Sequence, residues 1–270
     1  MVVFPNCKIN LGLSVLRKRA DNFHDLQTVF YPLPFYEPLE LIRSASNSFS
    51  QTGIALNIHP DDNICMKAWK LVKADYPALP EVSVHLHKCI PTGAGLGGGS
   101  ADGAFMLKAL DKYFRLQIPP EKMKEYSLSL GSDCPFFLLN RPCVATGRGE
   151  QLVPVDLSLS AFSIVIINPG IHVSTATAFS SIVPQVPETD IADIILLAPD
   201  CWKDALHNDF EKPVFSMYPE ISAIKTKLYD SGAVYAAMSG SGSTVFGLFE
   251  KSATTVPWFP ANYLVRRFDL

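Results

Sequence analysis

The chain has 270 residues, 48% of them hydrophobic and 18% charged, with a formal net charge of −3. That composition describes a globular protein with a well-filled core. Its charge gives no reason to expect DNA, RNA or an anionic membrane as partner. No run approaches the roughly 18 apolar residues of a membrane span. Polyanionic substrates would have to be held locally, by a few lysines and backbone amides. The cysteines Cys7, Cys65, Cys89, Cys134, Cys143 and Cys201 follow no CxxC or repeating spacing. No secretory signal precedes them, so reduced thiols and a cytoplasmic protein are expected.

Residues 9 to 15 alternate: Ile9, Leu11, Leu13 and Val15 face one way, Lys8, Asn10, Gly12 and Ser14 the other. This predicts a half-buried strand with a lysine and an asparagine on its polar face. Asp62 and Asn63 can cap a helix from about Ile64 to Ala74. Val82, Val84 and Leu86 mark a second strand. After a glycine cluster, Ser100 begins a helix whose apolar stripe is Met106, Leu107, Leu110, Tyr113 and Phe114. A further helix runs from Pro120 to Leu130, with proline suited to its first turn and Gly131 to its exit. Phe136 to Leu139 starts the next apolar element. The texture changes around Val153 to Ser160, and Phe162 to Ile167 reads as a new buried strand. A domain boundary is expected near residue 155, dividing 1–155 from 156–270. Ile182 to Pro199, proline-rich and poor in charge, predicts a long connection with at most short helices. Ile221 to Ser231 reads as a helix stopped by Gly232. Tyr235 to Met238 and Thr244 to Phe249 read as strands flanking Ser239-Gly240-Ser241-Gly242. Strands and helices mixed without strict alternation favour an α+β fold.

The strongest signal is the run from Pro91 to Asp102, with five glycines among residues 93–99. Gly93, Ala94, Gly95, Leu96, Gly97, Gly98, Gly99 and Ser100 feed directly into a helix. Such a loop is costly in backbone entropy. It is useful where amides crowd round an anion at a helix N-terminus. The Ser100 hydroxyl can cap that helix or turn toward a phosphate or a metal ion. Gly93, Gly95 and Gly98 also spell G-x-G-x-x-G. A dinucleotide site would need an acidic residue ending a strand about 20 residues on, where a helix tail and the turn Pro119-Pro120 stand instead. A Walker A loop would need a lysine after its last glycine, and Ser100 follows Gly99. The loop therefore points to a nucleotide phosphate.

Two side chains suit that chemistry. Asp133, in Gly131-Ser132-Asp133-Cys134-Pro135, is placed either to cap the next helix or to act as a general base. Lys8 is either a surface lysine or the cation that keeps such a base ionised and neutralises developing charge. Cys134 beside Asp133 raises a thiol-nucleophile reading, which no histidine signature supports.

Together these segments resemble the GHMP kinase superfamily, which includes galactokinase, homoserine kinase and mevalonate kinase. The glycine run and Ser239-Gly240-Ser241-Gly242 carry that likeness. More specific are Lys8-Ile9-Asn10-Leu11, the stretch Arg19-Ala20-Asp21-Asn22-Phe23-His24-Asp25-Leu26-Gln27-Thr28, and Gly131-Ser132-Asp133-Cys134-Pro135-Phe136-Phe137. These, with Asn168-Pro169-Gly170 and Asn208-Asp209-Phe210, are similar to the branch that phosphorylates 4-diphosphocytidyl-2-C-methyl-D-erythritol. The resemblance covers essentially the whole chain. It implies a two-domain GHMP kinase fold, with a ribosomal-protein-S5-like N-terminal domain, a ferredoxin-like C-terminal domain and the active site between them. It implies ATP and Mg²⁺ as cofactors, Asp133 as base and Lys8 as its cationic partner. Asn63, Lys88, Pro91 and the loop from Gly93 to Ser100 would lie on the ATP side. Asn10, Phe23, His24, Phe30, Thr175, Phe179, Gly240 and Ser241 would lie on the substrate side. Stacking on aromatic faces would hold the cytidine, although Phe30 and Phe179 also fit a plain core role. Phe23 stands where the family usually has tyrosine, and Ser180 where it often has lysine. No residue is assigned to the metal, and Mg²⁺ held by ATP phosphates and water would suit its reluctance to dehydrate. A monomer or a homodimer is expected.

Overall fold

The computed structural model describes residues 1–56, 58–253 and 257–270. In chain order its elements begin with β1 (Val2–Val3), β2 (Asn6–Lys18), β3 (His24–Tyr36), β4 (Leu39–Arg43) and β5 (Ser48–Gly53). Then come α1 (Ile64–Asp75), β6 (Val82–Lys88), α2 (Gly98–Phe114), α3 (Pro120–Leu130) and α4 (Cys134–Leu139). β7 (Cys143–Thr146), β8 (Gln151–Pro154), β9 (Phe162–Asn168), α5 (Thr175–Ser180), α6 (Ile191–Ile194) and α7 (Trp202–Ala205) follow. α8 (Glu211–Met217), α9 (Pro219–Asp230), β10 (Tyr235–Met238), β11 (Val245–Glu250) and β12 (Leu264–Asp269) complete the chain. Two units form, neither continuous in sequence. One holds Met1–Cys7, Phe35–Thr92 and Gly97–Arg141; the other holds Lys8–Pro34, Gly93–Leu96 and Pro142–Leu270.

In the first unit a sheet of order β1-β4-β6-β5 backs onto helices. β4 and β6 alternate, so Leu39, Leu41, Val82, Val84 and Leu86 point into one core. Met66, Trp69 and Val72 of α1 and Met106, Leu107 and Leu110 of α2 fill it from the other side. α1 starts where expected because the Asn63 side-chain oxygen accepts the Cys65 N–H at 2.8 Å. α3 has the expected bounds, from its first-turn proline to the exit at Gly131. α2 begins at Gly98 rather than Ser100. Gly97 takes the N-cap position with φ 69°, a left-handed conformation that favours glycine. Tyr113 was expected on the α2 stripe but is 39% exposed; only Phe114 of the last turn packs on the core.

The second unit holds two sheets, of order β2-β3-β7-β8 and β10-β11-β9-β12. On the latter, α9 lays Ile221, Ile224 and Leu228 against Val165, Ile167, Ala236, Met238 and Val245. These helix residues recur at the i, i+3, i+7 spacing of one face. The expected strands at 162–167, 235–238 and 244–249 are β9, β10 and β11. The expected long connection contains only α6 within its span. One reading needs correcting. β2 is not half-buried, because every residue from Asn6 to Val15 is buried on both faces. Lys8 and Asn10 are each only 3% exposed, so the surface-lysine alternative does not hold.

Candidate functional site

The glycine run is shared between the units: Gly93–Leu96 belong to the second, and Gly97 onward to the first. In the first unit, no side chain caps α2. A helix leaves its first N–H groups without intrahelical partners, and its dipole adds positive potential there. Gly98 is needed for packing, since a Cβ there would lie 2.8 Å from Ile90. At Gly99 a Cβ would meet nothing within 4 Å, so the turn is open at that point. Half-buried Ser100 and the Cys134 thiol both lie beside Gly131. Uncapped amides beside an open turn are the kind of group that can hold an anion.

Beneath it lies a charge cluster that the sequence did not reveal. Lys88 ends β6 and is 1% exposed. Its ammonium donates to the Glu37 carboxylate and, at 2.8 Å, to Asp102 Oδ2. The other Glu37 oxygen accepts the Cys89 and Ile90 N–H groups at 2.9 and 3.0 Å. Asp102 sits in the second turn of α2, and its Oδ1 is buried without a hydrogen-bond partner. The cluster thus ties the end of β6 and the β3–β4 connection to the start of α2. Burial works against the Lys88 charge, but Asp102 and Glu37 outweigh it and hold its pKa above the ordinary lysine value. Burial pushes the Asp102 carboxyl well above the usual carboxylate range, Lys88 drawing it down and Glu37 pushing it up. Lys88 and Asn63 are therefore both engaged with protein groups, one securing α2 and the other α1.

Asp133 occupies the N-cap position of α4, yet its side chain makes no capping bond and its backbone is already helical, φ −83° and ψ −14°. The capping reading of Asp133 does not hold. Cys134 is buried, which lifts its thiol to about 12. A thiolate nucleophile is excluded there at neutral pH.

In the second unit, Lys8 is fixed in place by Asn10, Phe30 and Leu96. Its Nζ donates to Asn10 Oδ1 at 2.6 Å and lies 4.8 Å from the Phe30 ring centre. Its backbone N–H donates to the Leu96 carbonyl at 2.9 Å. Asn10 Nδ2 donates to Thr28 Oγ1 at 3.0 Å, and Thr28 donates to the Gly12 carbonyl at 2.5 Å. The Asn10 N–H donates to Ser239 Oγ at 3.1 Å, and Ser239 in turn donates to the Gly95 carbonyl at 2.8 Å. The two glycine-rich segments are thereby pressed together. Gly95 has φ +80°, and a Cβ there would stand 1.9 Å from the Ser239 carbonyl oxygen. A Cβ on Gly240 would be 3.3 Å from Gly95 Cα. Ala94 accepts the Thr244 N–H at 3.2 Å, and Leu96 is wholly buried. Gly93 is exposed beside His172, and Pro91 is half-buried just before the loop.

The aromatic residues of this unit form pairs. His24 opens β3, and its ring stacks on Phe179 of α5 at 4.7 Å and 15°. Phe179 meets Phe210 edge-on at 4.8 Å. Phe30 is 2% exposed, beneath the Lys8 ammonium, while Phe23 is 49% exposed. Thr175 and Ser241 share a hydrogen bond of 3.1 Å between their hydroxyls. Sequence reasoning did not single out Thr28, Ser239, Glu37 or Asp102. Thr28 and Ser239 stood inside motifs quoted for other residues, but Glu37 had no local signal.

Two family models match, the GHMP kinases N terminal domain at residues 63–141 and the GHMP kinases C terminal at residues 184–256. A protein of Parabacteroides distasonis named 4-diphosphocytidyl-2-C-methyl-D-erythritol kinase is 48% identical, covering 93% of this chain and 92% of its own. One of Azobacteroides pseudotrichonymphae with the same name is 44% identical, covering 99% and 100%. This chain belongs to the 4-diphosphocytidyl-2-C-methyl-D-erythritol kinase family of the GHMP kinases. A crystal structure titled 4-(cytidine 5'-diphospho)-2C-methyl-D-erythritol kinase is 31% identical, with a TM-score of 0.79 over 92% of this chain and 90% of the other. The mevalonate kinase of Methanococcus jannaschii, at 11% identity and a TM-score of 0.64 over 94% and 92%, shares the fold. The α+β GHMP kinase fold expected from the sequence is the fold found. The dinucleotide reading falls with it, since α2 runs on to α3 with no strand between.

Three outcomes follow for this family member. Lys88→Met strands two buried carboxylates and should cost about 3–5 kcal/mol, measured by urea unfolding. Asp102→Asn keeps the shape and should cost less. Because the native pKa of Asp102 lies above its unfolded value, its contribution is full below about pH 4 and is lost as pH rises through the native value. The Asn variant should therefore lose less stability than the parent as pH rises above about 4, the unfolded value. Gly95→Ala should destabilise by more than about 2 kcal/mol, because strain and a backbone clash coincide; an unchanged unfolding midpoint would refute the packing described.

Proposed function

We propose that this protein transfers the terminal phosphoryl group of ATP to the 2-hydroxyl of 4-diphosphocytidyl-2-C-methyl-D-erythritol, a step of non-mevalonate isoprenoid precursor synthesis. The observation that carries this is 48% identity over nearly the full length to relatives bearing that name. The uncapped start of α2 supports the nucleotide half of the reading. The paired aromatics support the cytidine half.

Phosphoryl transfer asks chiefly for positioning and charge stabilisation. In this reading the amides from Gly93 to Ser100, following Pro91, hold the ATP phosphates. Asn63 and Lys88 serve that side through the helices they fix. Lys8, aimed by Asn10, stabilises charge on the transferred group. Asp133 orients and deprotonates the acceptor hydroxyl. Phe23, His24, Phe30 and Phe179 offer aromatic surface to the cytidine, while Asn10, Thr175, Gly240 and Ser241 offer polar groups to the substrate. Among the described residues no cluster of three or more His, Cys, Asp or Glu could hold a metal. A Mg²⁺ carried on ATP phosphates and water would neutralise phosphate charge there. A division near residue 155, with 1–155 binding ATP and 156–270 on the substrate side, is supported by family matches that end at 141 and resume at 184. Among the described residues no helix is long and apolar enough to cross a membrane. We place the enzyme in the cytoplasm, where ATP and a charged metabolite are at hand, as a monomer or homodimer.

A coupled assay of ADP release should respond to the cytidyl diphosphate substrate and not to a panel of sugars and amino acids; response to a sugar alone would reject the substrate. Asp133→Asn should lower turnover by at least about 100-fold while ATP binding is kept. Normal turnover in that variant would remove Asp133 from the chemistry. Gly97→Val should weaken ATP binding, because a β-branched side chain covers the amides and cannot readily adopt the left-handed backbone; unaltered affinity would end the cradle argument.

A further inference from the structure

A cytidyl diphosphate substrate, which this inference takes from the reading above, brings a diphosphate whose charge needs a cation. Most cations near the aromatic pairs of the second unit are already engaged. Lys8 donates to Asn10. Arg17 pairs with Asp25 at 2.5 Å, and Arg19 pairs with Asp21 at 3.0 Å and Asp25 at 2.9 Å. Arg148 differs. It follows β7 in the turn Gly147-Arg148-Gly149-Glu150. The register of β3 on β7 pairs Thr28 with Ala145, and Leu26 N–H donates to the Gly147 carbonyl at 2.8 Å. Arg148 is the next residue of this turn, and its guanidinium reaches Phe23, the neighbour of His24. The turn is built around it. Gly147 and Gly149 take φ +68° and +105°, and the Glu150 carboxylate accepts the Arg148 backbone N–H at 2.6 Å.

The Arg148 guanidinium lies flat enough on Phe23 for its centre to be 3.7 Å from the ring centroid. Its Nε is buried without a hydrogen-bond partner. Among the described residues no side-chain carboxylate pairs with it, and it acts on Asp21 only as a minor attraction. Stacking fixes the plane of a guanidinium and leaves its edge donors to act. Such a fork matches two phosphate oxygens better than the edge of a neutral base. The guanidinium occupies one face of Phe23, so a base stacking there would use the other face. His24 and Phe179, with centroids 4.7 Å apart, leave no space for a third ring between them, so a base there would stack on an outer face.

We propose that Arg148 is a binding residue for the diphosphate of the cytidine nucleotide, held by Phe23 so that its edge donors grip phosphate oxygens. The test compares CDP and cytidine as probes by calorimetry on the full chain, together with steady-state kinetics on the cytidyl diphosphate substrate. Arg148→Met should weaken CDP about 10–100-fold, the range of a lost charge-assisted hydrogen bond, and leave cytidine affinity within about twofold. KM for the cytidyl substrate should rise by the same factor, while KM for ATP holds. Arg148→Lys, which keeps the charge, should recover part of the CDP affinity. Equal weakening of CDP and cytidine would show a role in shaping the base site and overturn the proposal, as would CDP affinity unchanged in Arg148→Met. Wild-type protein that ignores the cytidyl substrate, yet prefers CDP to cytidine through Arg148, would refute the reaction while leaving the Arg148 assignment standing.

Discussion

One ammonium shared by two buried carboxylates underlies the first unit. Lys88, Glu37 and Asp102 come from three separate stretches of chain, and none is more than 1% exposed. A buried ion cluster is poor evidence of stability in itself, because desolvation offsets much of its attraction. Its value here is directional. It fixes the first turns of α2 relative to β6, and those turns carry the N–H groups that no side chain caps. Lys88, placed by resemblance on the nucleotide side, also holds this platform steady.

The second unit solves a comparable problem with neutral groups. Asn10 stands at a junction: its side chain orients Lys8 through one end and Thr28 through the other, while its N–H engages Ser239. A lysine that is desolvated, hydrogen-bonded and seated over an aromatic ring has few rotamers left to lose. Ordering a free lysine costs up to about 2 kcal/mol. Here that cost is met during folding, so it would not be met again by any anion that Lys8 bound.

Local patterns were read well where local physics decided them. The proline and glycine bounding α3, the Asn63 cap of α1 and the alternation of β6 all depend on neighbours in sequence. Long-range pairing was not legible. Glu37 reaches Lys88 across 51 positions, and nothing around either residue announces it. β2 was misread for the same reason. Alternation of polar and apolar residues ordinarily means one wet face, but Lys8 and Asn10 satisfy each other and Thr28, so their face can be buried too. The aromatic residues were identified from resemblance, while Arg148 lay outside every motif and emerged only once its ring partner was visible.

The backbone oxygen of Ser239 fills the space where a side chain on Gly95 would begin, and the two positions are 144 apart. Neither segment can drift alone, because a bulkier residue at one requires the other to retreat. They form a single heritable unit despite their separation. A chimera between relatives that took its early loop from one parent and its late serine-glycine turn from another would join surfaces shaped for different mates. Recombination within this lineage is thus constrained by a contact that alignment of either segment by itself would not expose.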